Sequence, residues 1–283
     1  MPAAEEQPAD PRAATTRILR WKQGLLGQAA NDSLAREEPL EIRVKGESVA
    51  VTMRTPGHDE ELALGFLLSE GVIAGPSDVL EVAPCQQGEA GLHGNVLNVF
   101  LAPKVVIDLA KLRRNVYASS SCGLCGKASI ESVHGHFEPL DKREPVIAAE
   151  SILQLPDKLR AGQETFEKTG GLHAAGLFDA AGNLLTLRED VGRHNAVDKA
   201  LGRSMLDDAF PLENHLLMVS GRASFEIMQK ALAGRVGVIC AVSAPSSLAV
   251  EFAQDSGQTL VGFLRGDTFN VYTHPERITR LVS

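Results

Sequence analysis

Apolar and polar residues alternate along "LEIRVKGESVAVTMRT", interrupted at Lys45, Gly46 and Glu47, and this period of two with a turn in its middle predicts a β-hairpin. The next stretch, "TPGHDEELALGFLLSEGVI", changes period: Leu62, Phe66 and Leu67 share one helical face, Asp59 is placed to cap the first turn, and Gly71 to close the end. "GNVLNVFLA" returns to a strand pattern. Further on, "ESILQLPDKLRAGQETFEKTGG" predicts helix broken at a proline, and "LHAAGLFDAAGNLLTLRED" predicts two strands joined at Ala181, Gly182 and Asn183. The last third is the most regular. "HLLMVS", "VGVICAV" and "TLVGFL" are short apolar runs separated by helical patterns in "RASFEIMQKALAG" and "APSSLAVEFAQDSG". Strands uniformly apolar and alternating with helices imply a largely parallel sheet covered on both faces. The expected fold is therefore α/β, a three-layer α/β/α domain over 116–283 preceded by a smaller N-terminal α/β domain over 15–115. Residues 1–14 are polar and rich in Ala and Pro, and are expected to be a disordered tail.

Composition narrows the function. A chain of 283 residues with 44% hydrophobic residues can bury a core, and a net charge of −8 argues against broad nucleic-acid binding, leaving any anion site local. No apolar run approaches the roughly 20 residues of a membrane span, and the N-terminus lacks the basic then apolar order of a secretory signal, so a cytoplasmic protein is expected. Four cysteines are too few for a disulfide scaffold. Cys240 lies in a buried-strand pattern and Cys85 in a loop; neither suggests chemistry.

Cys122 and Cys125 differ, because "YASSSCGLCGKASIES" sets them in a Gly- and Ser-rich segment before a helical pattern beginning near Lys127. The positive end of a helix lowers a nearby thiol's pKa and makes it a nucleophile. Four readings fit: a dithiol–disulfide couple, half of a zinc site, a cysteine that carries sulfur as a persulfide, or two structural cysteines in a tight loop. For zinc, His58 with Asp59 and Glu60 stands where a deaminase signature has H-x-E, but Ser121 replaces the expected Pro before the C-x-x-C pair.

Three segments offer ligand contacts at strand-to-helix or strand-to-turn junctions, where α/β proteins bind ligands. "REDVGRHNAVDKALG" crowds Asp190, Arg193, His194, Asn195, Asp198 and Lys199 around Gly192; the alternative is a capped amphipathic helix with a solvated charged face. "SGRASFEIMQKAL" places Arg222 after Ser220 and Gly221, without P-loop spacing. "VGFLRGDTFNVYTH" carries Phe263, Leu264, Arg265, Gly266, Asp267 and Thr268 into a turn. His173, after Gly170 and Gly171, suits a hydrogen-bonded core histidine better than a catalytic one.

Taken in order, "TPGHDEELALGFLLSEGVI", "SSSCGLCG", "TGGLHAAGLF", "EDVGRHNAVDKALG", "VSGRASFEIMQKA" and "GFLRGDTFNVYTH" resemble the FdhD family, the formate dehydrogenase accessory sulfurtransferases. The resemblance implies a cytidine-deaminase-like fold and a homodimer. It implies that sulfur from a cysteine desulfurase is held as a persulfide on Cys122, with Cys125 as its partner. Delivery would then be to the Mo or W bis(molybdopterin guanine dinucleotide) cofactor of formate dehydrogenase. It places Phe263 to Thr268 in the cofactor-binding segment, and GDP would mimic part of that ligand. Arg193, His194, Asp198, Lys199 and Arg222 join them as candidates from the residue reading, Arg193, Lys199, Arg222 and Arg265 as phosphate cations. No protein-bound zinc, nucleic acid or membrane is expected. Two rivals to the carrier stay open beside the dithiol couple: a zinc-dependent deaminase-like hydrolase and a non-catalytic molybdenum-cofactor chaperone.

Overall fold

The computed structural model describes residues 10–85, 94–107, 137–140 and 144–280. It opens with an antiparallel ribbon of β1 (Ala13–Lys22) and β2 (Leu25–Ala35), turning at Gln23 and Gly24, both at positive φ. Within the segment expected to be a tail, Asp10 is held by its carboxylate to Arg12 and Lys168, and β1 begins at Ala13. The β3 (Glu38–Val44) and β4 (Glu47–Arg54) hairpin follows, with Lys45 and Gly46 in the left-handed region as its turn requires. With β5 (Val79–Pro84) and β6 (Val96–Leu101) it forms a four-stranded sheet in the order β4-β3-β6-β5.

The second sheet has six strands in the order β13-β12-β11-β10-β8-β9. Its centre, β10 (His215–Val219), β11 (Val238–Ala241) and β12 (Thr259–Arg265), is parallel. The flanking strands β8 (His173–Asp179), β9 (Leu184–Asp190) and β13 (Thr268–Thr273) pair antiparallel. A short strand pair, β7 (Ile147–Ala148) with β14 (Ile278–Thr279), lies apart. Six helices are described: α1 (Asp59–Ser69), α2 (Ala149–Ala161), α3 (Glu164–Thr169), α4 (Arg193–Leu206), α5 (Phe225–Ala233) and α6 (Ser247–Asp255).

Strand periodicity sorts the core into two layers. Leu217, Val219, Ile239, Ala241 and Leu260 face α4, α5 and α6, while Leu216, Met218, Val238, Cys240 and Val261 face α2 through Ile152, Leu155 and Leu159. This is the expected three-layer arrangement. Cys240 is fully buried and burial pushes its thiol up to about 12, which keeps it protonated and inert. The first layer extends without a break through α1 to Leu40, Ile42, Val44 and Val99 of the four-stranded sheet. The proposed boundary near residue 115 falls outside the described residues.

Two local expectations are corrected. The α1 N-cap is His58 at φ 59 with no side-chain cap, because Asp59 is engaged by Arg54, whose Nε and Nη2 donate to its carboxylate at 2.8 and 2.9 Å. Arg54 is 2% exposed, and a buried guanidinium requires a counter-ion more than a helix requires a cap. Pro156 sits inside α2 without ending it; the break comes at Gly162 and Gln163, which separate α2 from α3.

Helix α1 is buried on nearly all sides, between the four-stranded sheet and α4. Gly65 and Gly202 let α1 and α4 meet backbone to backbone: a Cβ on Gly65 would lie 1.9 Å from the Asp198 carbonyl oxygen, and one on Gly202 would lie 1.8 Å from that of Glu61. Alanine in place of a helical glycine ordinarily gains about 1 kcal/mol. Here the clash is with main chain and cannot be relieved by a rotamer change, so overpacking of about 3 kcal/mol decides the sign. Gly65→Ala and Gly202→Ala are therefore expected to lower stability in urea denaturation, against their helix propensity.

Candidate functional site

Because β10, β11 and β12 are parallel, their carboxyl ends emerge at one edge of the sheet. Antiparallel pairing brings the start of β8 and the end of β9 to the same edge, with Val219 opposite Ala175 and His173 opposite Asp190. The loops there are joined to one another. Ser220 Oγ accepts from Ala174 N at 2.9 Å, Ser246 N donates to Ala223 O at 3.0 Å, and Phe263 N donates to Ser243 O at 3.1 Å. Phe263 takes φ 51 where β12 departs from β13 between Gly262 and Arg265, and Gly266 at φ 59 completes the turn. Gly262 has no room for a side chain, since a Cβ would meet Pro245 and Tyr272 at 3.0 Å.

A cavity of about 720 Å³ opens at this edge, bordered by Arg160, Gly171, His173, Ser220, Leu264 and Arg265 among others. That volume suits a nucleotide-sized ligand. Arg160 lies over the Phe166 ring at 4.4 Å and Arg265 lies 5.7 Å from the Phe263 ring, so aromatic faces support both cations. Arg265, Gly266, Asp267 and Thr268 are exposed, and Thr268 Oγ1 donates to Arg265 O at 3.4 Å. Leu264 differs from its neighbours: its residue is fully buried in the core that faces α2. It serves packing at the cavity wall. Arg222 is exposed on the loop that opens α5.

The segment at α4 splits into two groups. Arg193 is half-buried, and its Nε is buried with no hydrogen-bond partner among the described residues. His194 Nε2 lies 3.0 Å from Glu226 Oε2 and 3.3 Å from Ser224 Oγ. Asp198 and Lys199 face inward, which corrects their assignment as ligand contacts. Lys199 is 1% exposed, with Nζ 2.7 Å from Asp190 Oδ2 and donating to Thr55 O at 2.8 Å. Asp190 also accepts from Gly192 N, Asn195 Nδ2 and Thr55 N, so its carboxylate is fully engaged. Asp198 binds Lys230 Nζ at 2.8 and 2.7 Å and accepts from Ser69 Oγ at 2.9 Å. Helical spacing explains the split: only the first turn of α4 lies at the sheet edge, and Asp198 and Lys199 point back into the packed layer.

Cys122 and Cys125 lie outside the described residues, as does the helix start expected near Lys127. Among the described residues no group of three or more His, Cys, Asp or Glu side chains could hold a metal ion, and His58 sits 3.5 Å from Glu61 across the first turn of α1. No described helix is long and apolar enough to cross a membrane. His173 and Arg160 both border the cavity, a placement the sequence did not predict. The signal for His173 was the adjacent Gly170 and Gly171, which bring the chain to the cavity; Arg160 shows only as one cation of an amphipathic helix.

Removing the Lys199 ammonium leaves Asp190 ionised and buried, which ordinarily costs about 3–5 kcal/mol. Lys199→Met is expected to lose stability on that scale in chemical denaturation. A fully stable Lys199→Met protein with weakened ligand binding would return Lys199 to the ligand site.

The FdhD/NarQ family model matches residues 35–279. A "Sulfur carrier protein FdhD" from Streptomyces coelicolor is 50% identical over 268 residues, spanning 93% of this chain and 94% of the relative. The protein of that name from Mycobacterium tuberculosis is 53% identical over 254 residues, spanning 88% and 92%, and that from Saccharolobus solfataricus is 44% identical over 251, spanning 88% and 91%. Among solved structures, a chain from Desulfotalea psychrophila, described as a candidate formate dehydrogenase accessory protein, superposes with a TM-score of 0.76 at 26% identity, covering 95% of this chain and 100% of that one. The segments that converge on the sheet edge lie within the matched region, and the chain belongs to the FdhD/NarQ family.

Proposed function

We propose that the chain is a sulfur carrier serving formate dehydrogenase, accepting persulfide sulfur from a cysteine desulfurase and passing it to the bis(molybdopterin guanine dinucleotide) cofactor of that enzyme. The observation that carries this reading is the 44–53% identity to proteins named sulfur carrier, over most of both chains. The cavity at the sheet edge supports it, with Arg160, Arg265 and His173 around a space of nucleotide size in an otherwise acidic protein.

The chemistry balances on the two cysteines. The Cys122 thiolate attacks the outer sulfur of the donor persulfide, a new S–S bond forms as the donor's breaks, and the donor leaves as a thiolate with no net redox change. Release as hydrosulfide needs two electrons, which Cys125 supplies by attacking Cys122 Sγ and closing a disulfide. Both steps need free thiols at the outset, which suits the reducing cytoplasm. Phe263 and Arg265 to Thr268 are the segment assigned to the guanine dinucleotide, with Arg193 and Arg222 at its margins and GDP as its simplest mimic. A homodimer is part of the same reading.

Intact mass after incubation with a cysteine desulfurase and cysteine tests the carrier directly. The wild type is expected to gain about 32 Da, one sulfur, reversibly with reductant, and Cys122→Ala is expected to gain none. No gain in the wild type, with zinc copurifying near one equivalent, would replace the carrier by a metal hydrolase. Formate dehydrogenase activation that survives Cys122→Ala would replace it by a cofactor chaperone.

A further inference from the structure

Between β8 and the first turn of α4 lies a small gap that no described residue fills. Gly221 borders it: a Cβ there would stand 3.5 Å from His173 Nδ1 and 3.8 Å from Arg193 Cδ. The two side chains therefore flank one small space beside the cavity. None of the Arg193 nitrogens has a carboxylate within ion-pair distance among the described residues, and its buried Nε–H has no acceptor. A buried donor without a partner ordinarily costs about 1–3 kcal/mol, so a missing acceptor is the economical explanation.

The charges around this gap point to the acceptor's sign. Asp190, the nearest carboxylate on β9, is committed to Lys199, Thr55, Gly192 and Asn195. Glu226 of α5 is engaged by His194. On the cavity side Arg265 adds positive charge, while Arg160 is paired with Glu167, and Asp157 also borders the cavity. Among the described residues no carboxylate pairs with Arg193, and Arg193 sets the sign of the charge at the gap.

We propose that His173 and Arg193 form an oxyanion subsite at the sheet edge, which takes a tetrahedral phosphoryl group with Arg193 as the fixed cation and His173 as a proton-dependent second donor. Burial, then Arg193 and then His194, push the His173 ring below the usual imidazole range, against a smaller opposite effect of Asp190. The empty site thus holds His173 neutral near pH 7, and an arriving anion reverses its largest charge interaction and draws a proton onto the ring. Binding takes up a proton, and affinity falls as pH rises through the His173 pKa of the complex.

The inference rests on reading this edge as the ligand site, but its test is independent of sulfur loading. Sulfate is the probe, because it does not titrate between about pH 5 and 8 and any proton uptake then belongs to the protein. Calorimetry in two buffers of different ionisation enthalpy is expected to show wild-type binding with uptake of about half to one proton at pH 7. Arg193→Gln should weaken sulfate by about tenfold or more, with Arg193→Lys restoring part of it. His173→Gln should bind more weakly and abolish the uptake. Gly221→Ala adds a methyl at ordinary contact distance, so it should keep its melting temperature yet weaken sulfate by filling the gap. Displacement by GDP at lower concentration than by inorganic phosphate would assign the phosphoryl group to a nucleotide; the reverse would assign it to free phosphate.

Sulfate affinity unchanged in Arg193→Gln, His173→Gln and Gly221→Ala, or binding without proton uptake, would overturn the subsite. Sulfur loading that persists while sulfate binding is absent removes the subsite alone. The converse removes the carrier and leaves the subsite standing.

Discussion

The backbone contact between α1 and α4 is the constraint on which the rest of the structure depends. Two helices can approach this closely only where neither carries a side chain, and Gly65 and Gly202 lie against the partner's carbonyls at Asp198 and Glu61. The two contacts are reciprocal along the helices: the residue that receives one glycine stands four positions from the other. This fixes rotation and translation of α4 relative to α1 together. Since α1 is also embedded against the four-stranded sheet, the contact sets where the first turn of α4 meets the edge of the six-stranded one.

Charged groups then secure what the glycines allow. Arg188 reaches from β9 to Glu61 on α1 with two hydrogen bonds, one of them at 2.7 Å. Burial alone would raise the Glu61 pKa, yet Arg188 and then His58 hold it at about 2, so the pair stays ionised at any ordinary pH. Lys230 on α5 closes the other side through Asp198 and Ser69, and Lys199 links α4 to β9 and to the Thr55 carbonyl at the end of β4. Buried ion pairs contribute little net stability compared with apolar packing, but each is satisfied in only one geometry. Here their value is registry between the two sheets.

That division of labour explains what could be seen in the chain beforehand. Strand and helix alternation from His215 onward follows from solvent and core periodicity, which is local, and the three-layer fold was legible from it. The hairpin at Lys45 and Gly46 was legible for the same reason. The β1 and β2 ribbon was missed, because its alternation is not hydrophobic against polar: Leu19, Trp21, Leu25 and Leu26 are all exposed. The inward turn of Asp198 and Lys199 was also hidden. A charge cluster on a helix looks alike whether it meets solvent, ligand or a buried partner, and Lys230 lies more than thirty residues away in sequence. Gly65 and Gly202 read only as weak points in helices until their partners are known.

A protein with net charge −8 must generate positive potential locally if it is to hold a phosphoryl group. Adding cations is one route; withdrawing anions is the other, and the proposed subsite would use both. Asp190, three residues before Arg193, has its charge taken up by Lys199 inside the core, where water cannot screen the interaction. With Asp190 so engaged, Arg193 has no counter-ion among the described residues. In the proposed subsite Lys199 would act without touching the ligand, by keeping a neighbouring guanidinium available. The same pairing anchors Thr55, so the geometry that joins the two sheets and the charge balance at the edge rest on one buried contact.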